Sequence, residues 1–273
     1  MLRLFKLIII ELNDKMKIPK DRSSKIKLAV NPKTPKEILE KLSKDGDNAI
    51  RLRVAENPNT PPEVLIKLSK DESKDVRRLV ARNPHSPKEI LIEFSKDAEM
   101  KAEVALNIKT PEEVLSRLAE DKNYVVRLRV ALNPKTPKIV LAKLSKDKNY
   151  EVRELVASNP NTPNFILAKL SNERYWRIRE TVALNPHTPK KILAKLAKDK
   201  ESHVRRALAK NPYTPKGVLV KLSKDTDAFV RWNVAKNRNT PIKVLNQIRS
   251  NHDSFPYPSY QAQVYYNFRT LEF

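Results

Sequence analysis

The 273-residue chain contains no cysteine, so it holds no disulfide framework, no thiolate metal site and no cysteine nucleophile. Its only glycines are Gly46 and Gly217, too few for a phosphate-cradling loop, and no G-x-G-x-x-G, Walker or G-x-S-x-G pattern occurs. Acidic residues are in deficit: 55 Lys and Arg face 32 Asp and Glu, a net charge of +23. Polyanions are therefore the first partners to consider. Long hydrophobic runs are absent too. Met1 to Ile10 is apolar but interrupted by Arg3 and Lys6, and falls short of the roughly 20 residues that span a bilayer. We expect a cytoplasmic chain with no membrane partner. Residues 1–23 should form a helix that caps the rest of the chain, with Leu2, Phe5, Ile8, Ile9 and Leu12 on one face.

Proline, by contrast, is plentiful and ordered. The string N-P-x-T-P recurs with its Asn at 31, 57, 83, 107, 133, 159, 185, 211 and 237, Ile108 and Arg238 replacing the first Pro in two copies. Spacing is 26 residues except between Asn83 and Asn107, where it is 24. Sixteen of the 20 prolines occupy motif positions, so they punctuate an array and do not signal disorder. Nine copies of one segment predict a solenoid in which each repeat buries its faces against its neighbours.

Each repeat reads as two helices. The longer is expected to start at the motif's Thr or Ser, an N-cap followed by Pro at the first helical position. Glu37, Glu63, Glu89 and Glu113 would complete capping boxes in the first four repeats. Apolar residues such as Ile38, Leu39 and Leu42, or Val140, Leu141 and Leu144, then share one face. A shorter helix precedes the motif, burying triplets such as Val126, Val130 and Ala131 and closed by the Asn, because the residue before Pro leaves the α region. No strand pattern appears in the array.

The run V-R-x-x-V-A-x-N-P-x-T-P-x-x-x-L-x-x-L-x-x-D resembles the leucine-rich repeat variant family over residues 24–250, with a looser likeness to HEAT repeats. The resemblance implies a right-handed all-α solenoid of nine 26-residue repeats, each an α-helix plus a short or 3₁₀ helix. Some members of that family carry a cysteine-rich cluster like an iron-sulfur site; a chain without Cys cannot, and no cofactor is expected. Residues 251–273 hold seven of the chain's 17 aromatics and are expected to cap the last repeat.

Recurrent charges are the remaining signal. An Arg or Lys lies six residues before each motif Asn, and an Asp lies six residues before most of those. Asp121 with Arg127, Asp147 with Arg153, Asp199 with Arg205 and Asp225 with Arg231 should belong to a structural ladder, within or between repeats. The helix after the motif supplies two lysine rows: Lys143, Lys169, Lys195 and Lys221 in one, Lys146, Lys198 and Lys224 three residues on in the other. Tyr124, Tyr150 and Trp176 recur 26 residues apart between helices and are candidates for base stacking. Histidines and carboxylates form no unique constellation, so neither an enzyme nor a small-molecule substrate is expected. These features predict a non-enzymatic module that binds nucleic acid through phosphates with low specificity. A scaffold for an acidic protein partner is the alternative.

Overall fold

The computed structural model describes residues 18–250. They form 18 helices and, among the described residues, no strand. The chain divides between Lys135 and Thr136 into two compact units. In the first, α1 (Arg22–Val30), α3 (Asn48–Glu56), α5 (Lys74–Arg82), α7 (Lys101–Leu106) and α9 (Tyr124–Leu132) alternate with α2 (Lys36–Leu42), α4 (Pro62–Leu68), α6 (Lys88–Phe94) and α8 (Glu112–Leu118). In the second, α10 (Lys138–Leu144), α12 (Asn164–Leu170), α14 (Lys190–Leu196), α16 (Lys216–Leu222) and α18 (Ile242–Ser250) alternate with α11 (Tyr150–Ser158), α13 (Trp176–Leu184), α15 (Ser202–Lys210) and α17 (Ala228–Lys236). Each unit is a repeat solenoid of helix pairs, as its sequence period predicts. The capping segment expected over residues 1–17 and the aromatic cap expected over 251–273 lie outside the described residues.

The expected order of helix lengths is reversed. Up to α16 the helix after the motif has seven residues, while the helix before it has nine and is α-helical, not 3₁₀; only α7, in the shortened repeat, has six. Local chemistry accompanies both lengths. Most seven-residue helices end on a Ser whose hydroxyl donates to a carbonyl three residues earlier, as Ser69 Oγ does to Ile66 O at 2.8 Å and Ser223 to Val220 at 2.8 Å, while α8 and α14 end at the same length on Ala119 and Ala197. Several nine-residue helices are capped by an Asp or Asn: Asp47 accepts from Ala49 N, Asn149 from Glu151 N and Asp227 from Phe229 N, at 2.9, 2.7 and 2.8 Å, whereas α5, α13 and α15 reach the same length without a side-chain cap. Such a cap contributes about 1 kcal/mol.

The motif Thr is also reassigned. It does not cap the helix that comes after it, whose N-cap residue is the motif Pro with no side-chain cap bond. Its hydroxyl donates backwards, to the carbonyl six residues earlier at the end of the preceding helix: Thr60 to Val54 and Thr110 to Val104 at 2.5 Å, Thr188 to Val182 at 2.6 Å. With Thr committed there, the expected capping boxes do not form.

The motif Asn does more than end a helix. It is buried, and its side-chain amide reaches the previous repeat. Asn83 Nδ2 donates to Ala55 O at 2.8 Å and Asn57 O at 3.0 Å, while its Oδ1 accepts from His85 N at 2.9 Å. Asn57, Asn107, Asn133, Asn185, Asn211 and Asn237 repeat the pattern within their units. These carbonyls are orphans of a helix C-terminus, and the next repeat's Asn satisfies them. Apolar packing completes the stack: Ile38, Leu39, Leu42, Val126, Val130, Ala131 and their equivalents are buried. Within each unit the nine-residue helices pack directly on one another, whereas the seven-residue helices contact chiefly the nine-residue helices before and after them.

Replacing Asn83 by Ala should strip three hydrogen bonds and leave the buried Ala55 carbonyl unmatched, costing about 2–4 kcal/mol in urea unfolding followed by circular dichroism. Asn83→Asp should rescue nothing at neutral pH, since it sets a carboxylate against two carbonyls. A loss below about 0.5 kcal/mol, the range of an ordinary surface change, would contradict this role.

Candidate functional site

The repeated arginines join successive repeats. Arg179 grips Asp199, twenty residues on, with Nε to Oδ2 at 2.6 Å and Nη2 to Oδ1 at 2.9 Å, while Nη1 donates to the carbonyls of Glu173 at 2.7 Å and Arg174 at 3.1 Å. Arg205 does the same with Asp225 and the Asp199 carbonyl, at 2.7 and 2.8 Å. Arg153 reaches Glu173 at 2.9 Å, and its Nη1 donates to the Asp147 carbonyl at 2.7 Å. In the first unit Arg51 holds Asp71, and lysines take the arginine's place in Lys25–Asp45 and Lys101–Asp121, each at 2.7 Å. The side-chain partner is thus in the next repeat. The Asp six residues upstream offers its backbone carbonyl, as Asp121 does to Arg127 at 2.8 Å and Asp225 to Arg231 at 2.7 Å. Glu173, at a position without Asp, serves as a ladder member that the Asp spacing did not reveal.

Among these carboxylates, Asp71, Asp121 and Asp199 titrate low. Burial raises Asp71, Asp121 and Asp199, but the bonds from Arg51, Lys101 and Arg179 and from backbone N–H groups outweigh it and hold each below its ordinary value. Asp227, likewise raised by burial, is brought down to about 2 by Arg206 and the Val230 N–H.

The lysines occupy different ground. Lys143, Lys169, Lys195 and Lys221 are the penultimate residues of α10, α12, α14 and α16. Lys146, Lys198 and Lys224 are not on those helices as expected but in the turns just beyond, each backbone N–H donating to the first-row lysine's carbonyl at 3.1–3.2 Å. Cations belong at a helix C-terminus, so local electrostatics alone favours Lys at both places. All seven are exposed. Lys195 bonds to Asn172 Oδ1, but none of Lys146, Lys169, Lys198, Lys221 and Lys224 has a carboxylate within ion-pair distance among the described residues.

The two units differ here. Each of residues 18–135 and 136–250 holds 25 Lys and Arg, but the acidic counts are 19 and nine. In the first unit α2, α4, α6 and α8 all carry Glu, and Lys67 pairs with Glu40 at 2.6 Å. In the second, α10, α12, α14, α16 and α18 contain no Asp or Glu. The position of the early Glu is taken there by exposed Ile139 and Phe165, then by Lys191, Gly217 and Lys243. Two shallow grooves open between these helices. One, of about 650 Å³, is lined by Ser171, Lys195, Lys198 and Asp199; the other, of about 350 Å³, by Lys198, Lys221, Lys224 and Asp225.

Tyr124, Tyr150 and Trp176 are first residues of α9, α11 and α13, not loop residues. Tyr124 is exposed. Tyr150 stacks on Tyr175, ring centroids 5.1 Å apart, and Trp176 lies against His203 at 4.6 Å. One role of these rings is therefore to cover the neighbouring repeat. The 26-residue period does not reveal Tyr175, His203 and Phe229 as parts of the same edge, because they sit one residue before or after the register of Tyr150 and Trp176.

No family model matches the chain, and no curated protein matches it. Among solved structures, it is similar to one described as a leucine-rich repeat variant with a novel repetitive protein structural motif, at 23% identity, a TM-score of 0.57, and coverage of 81% of this chain and 88% of that one. The fold is that of a leucine-rich repeat variant. An engineered protein aligns over 94% of this chain at 18% identity with a TM-score of 0.38, and a designed armadillo repeat protein over 93% at 15% and 0.19. Among the described residues no helix is long and apolar enough to cross a membrane, and no three His, Cys, Asp or Glu converge on a common point.

Because Asp71, Asp121 and Asp199 of the ladder, and Asp227 beside it, titrate below their unfolded value of 3.8, their stabilisation is full above that pH and is lost as pH falls through the folded values, about 2 for Asp227. The melting temperature should drop between pH 4 and pH 2. Arg179→Gln, which leaves Asp199 buried without its guanidinium, should cost about 3 kcal/mol at pH 7, with the deficit shrinking as pH approaches 2. A deficit that stays constant across that range in thermal melts would remove the ion pair as its cause.

Proposed function

We propose that the second unit binds nucleic acid through backbone phosphates, using the face built by α10, α12, α14 and α16 and the turns after them. One observation carries this reading: these four helices lack any carboxylate, while Lys146, Lys169, Lys198, Lys221 and Lys224 stay exposed beside no acidic partner among the described residues. Solubility would be served as well by mixed charges, and the first unit shows that the same helices accept Glu at two or more positions. Removing carboxylates from one face and keeping them in the ladder concentrates positive potential where a polyanion can lie. The grooves between helices, lined by Lys195, Lys198, Lys221 and Lys224 together with Asp199 and Asp225 that are paired to Arg179 and Arg205, offer places for phosphate oxygens. The cations on this face are lysines, flexible point charges that suit phosphates without fixing a bidentate geometry, so sequence specificity is expected to be low.

Affinity should fall steeply with salt, because each neutralised phosphate releases counterions. Changing Lys146, Lys169, Lys198 and Lys224 together to Glu should weaken binding of a fluorescent 20-mer at least tenfold at low salt, measured by anisotropy. The same reversal of Lys44, Lys70, Lys96 and Lys122 in the first unit should do much less. No binding at micromolar protein and low salt, or equal losses in both variants, would overturn the assignment.

A further inference from the structure

The edge of the second unit where the seven-residue helices turn into the nine-residue ones carries a feature that phosphate binding does not use. Flat groups there meet across each step from repeat to repeat. Tyr150 stacks on Tyr175 with planes 20° apart, and Arg153 lies 5.8 Å from the Tyr175 centroid. Trp176 packs against His203, with Arg177 5.6 Å from its ring. Arg206 lies 4.7 Å from the Phe229 ring. Tyr150, Tyr175, His203 and Phe229 remain exposed. Interleaved with them, Lys146, Lys148, Arg174, Lys198, Lys200 and Lys224 are exposed and hold no ion pair among the described residues. Of the carboxylates on the edge, Glu173, Asp199, Asp225 and Asp227 are turned onto Arg153, Arg179, Arg205 and Arg206. Glu151 and Glu201 stay half-buried.

Tyr175 is the telling residue. It stands at the N-cap of α13, where α3, α11 and α17 have Asp47, Asn149 and Asp227 with side chains bonded to the helix, while Ser73 of α5 and Glu201 of α15, like Tyr175, make no such bond. What sets Tyr175 apart is the ring: it stacks on Tyr150 of the preceding repeat and still remains exposed, between Arg174 and Trp176. An exposed ring already held in a stack is a platform on which a further flat group can lie. The equivalent edge of the first unit offers Gly46, Glu72, Asp75, Ala98 and Glu99 instead, and no ring before Tyr124.

Resting on the proposed phosphate-binding face, we infer that the second unit's ligand is single-stranded nucleic acid, whose unpaired bases stack on Tyr150, Tyr175, Trp176 and Phe229 while Lys146, Lys198 and Lys224 take the phosphates. Duplex bases are already stacked and cannot use these rings. Helical repeats spaced about 10 Å apart are known to accept one base each.

The full-length chain is titrated with four fluorescent probes, every strand 5′-phosphorylated so that phosphate number is equal: a 20-mer of deoxythymidine, a 20-mer of uridine, an abasic 20-mer and a 10-base-pair duplex. Polyphosphate and polyglutamate serve as competitors. Either thymidine or uridine strand should bind at least about tenfold tighter than the abasic strand and the duplex. Tyr175→Ala with Phe229→Ala should erase that advantage while leaving polyphosphate competition unchanged and the protein helical by circular dichroism at the assay temperature. In Trp232→Phe protein, where Trp176 is the only indole, strand binding should quench its fluorescence and the abasic strand should not. Equal affinity for normal and abasic strands, or an advantage untouched by the double variant, overturns the stacking inference even when polyphosphate binds through the lysines. Polyglutamate binding as tightly as the strands overturns it in favour of an acidic protein. Absence of all polyanion binding overturns the phosphate-binding face itself.

Discussion

Burying the end of a helix against another helix leaves carbonyls without partners, and this fold is organised around supplying them. In α3 the Arg53 and Val54 carbonyls accept from the Asn57 N–H, and Val54 also accepts from Thr60 Oγ1. The Ala55 carbonyl waits for Asn83 of the next repeat, which also becomes a second donor to the Asn57 carbonyl beside Thr60 N–H. A repeat is therefore incomplete until its successor stacks on it, which ties helix termination to propagation of the array. The Pro that follows seven of the nine motif Asn residues cannot donate an N–H and cannot extend the helix, so it leaves side chains as the donors available at that position.

The 24-residue repeat shows which linkage is the stricter one. With two residues missing, α7 shortens, buried Met100 stands at its N-cap, and Arg77 bonds only to the carbonyls of Asp71 and Glu72. The carboxylate ladder is broken there, since Arg77 has no carboxylate partner among the described residues. Asn107 still reaches Ala81 O and Asn83 O at 2.7 and 2.9 Å. Ion pairs on the loop edge are thus dispensable in one repeat, whereas the buried amide bonds are kept, consistent with the greater cost of leaving a buried carbonyl unmatched than of forgoing a half-exposed ion pair.

Much of this architecture is legible in the chain because its signals are periodic. The recurring Asn-Pro and Thr-Pro pairs set the repeat length, and apolar triplets such as Ile38, Leu39 and Leu42 mark the buried faces. What escapes a reading of the chain are choices between two neighbours along it. A Thr before Pro suits either the helix behind or the helix ahead, and propensity cannot say which; the deciding factor is a carbonyl exposed only when the preceding helix stops at Asn. An Arg with Asp six residues before it and another twenty after has two candidate partners, and it uses the backbone of one and the carboxylate of the other. Helix lengths mislead because the apolar pattern of α3 begins at Ile50, two residues inside the helix that Asp47 caps. The aromatic edge is half visible, since Tyr175 and Phe229 fall out of register with Tyr150 and Trp176, and only contacts in space, Tyr175 on Tyr150 and Phe229 under Arg206, bring them to one edge.

The charge asymmetry between the units is visible along the chain as a rising excess of basic residues, but its physical content is different from that impression. Basic side chains are as many in residues 18–135 as in 136–250, and their places at helix C-termini are the ones that local electrostatics favours in any case. Lysine content by itself therefore carries no information about a ligand. What distinguishes the second unit is where acid was given up. The ladder keeps Glu173, Asp199 and Asp225, without which Arg153, Arg179 and Arg205 would lie against neighbouring repeats uncompensated. The seven-residue helices, free of that obligation, keep none. A carboxylate on those helices would cost the fold nothing, as Glu37, Glu63 and Glu89 show in the first unit. Its removal from one face alone is thus a property of the surface and not of the scaffold.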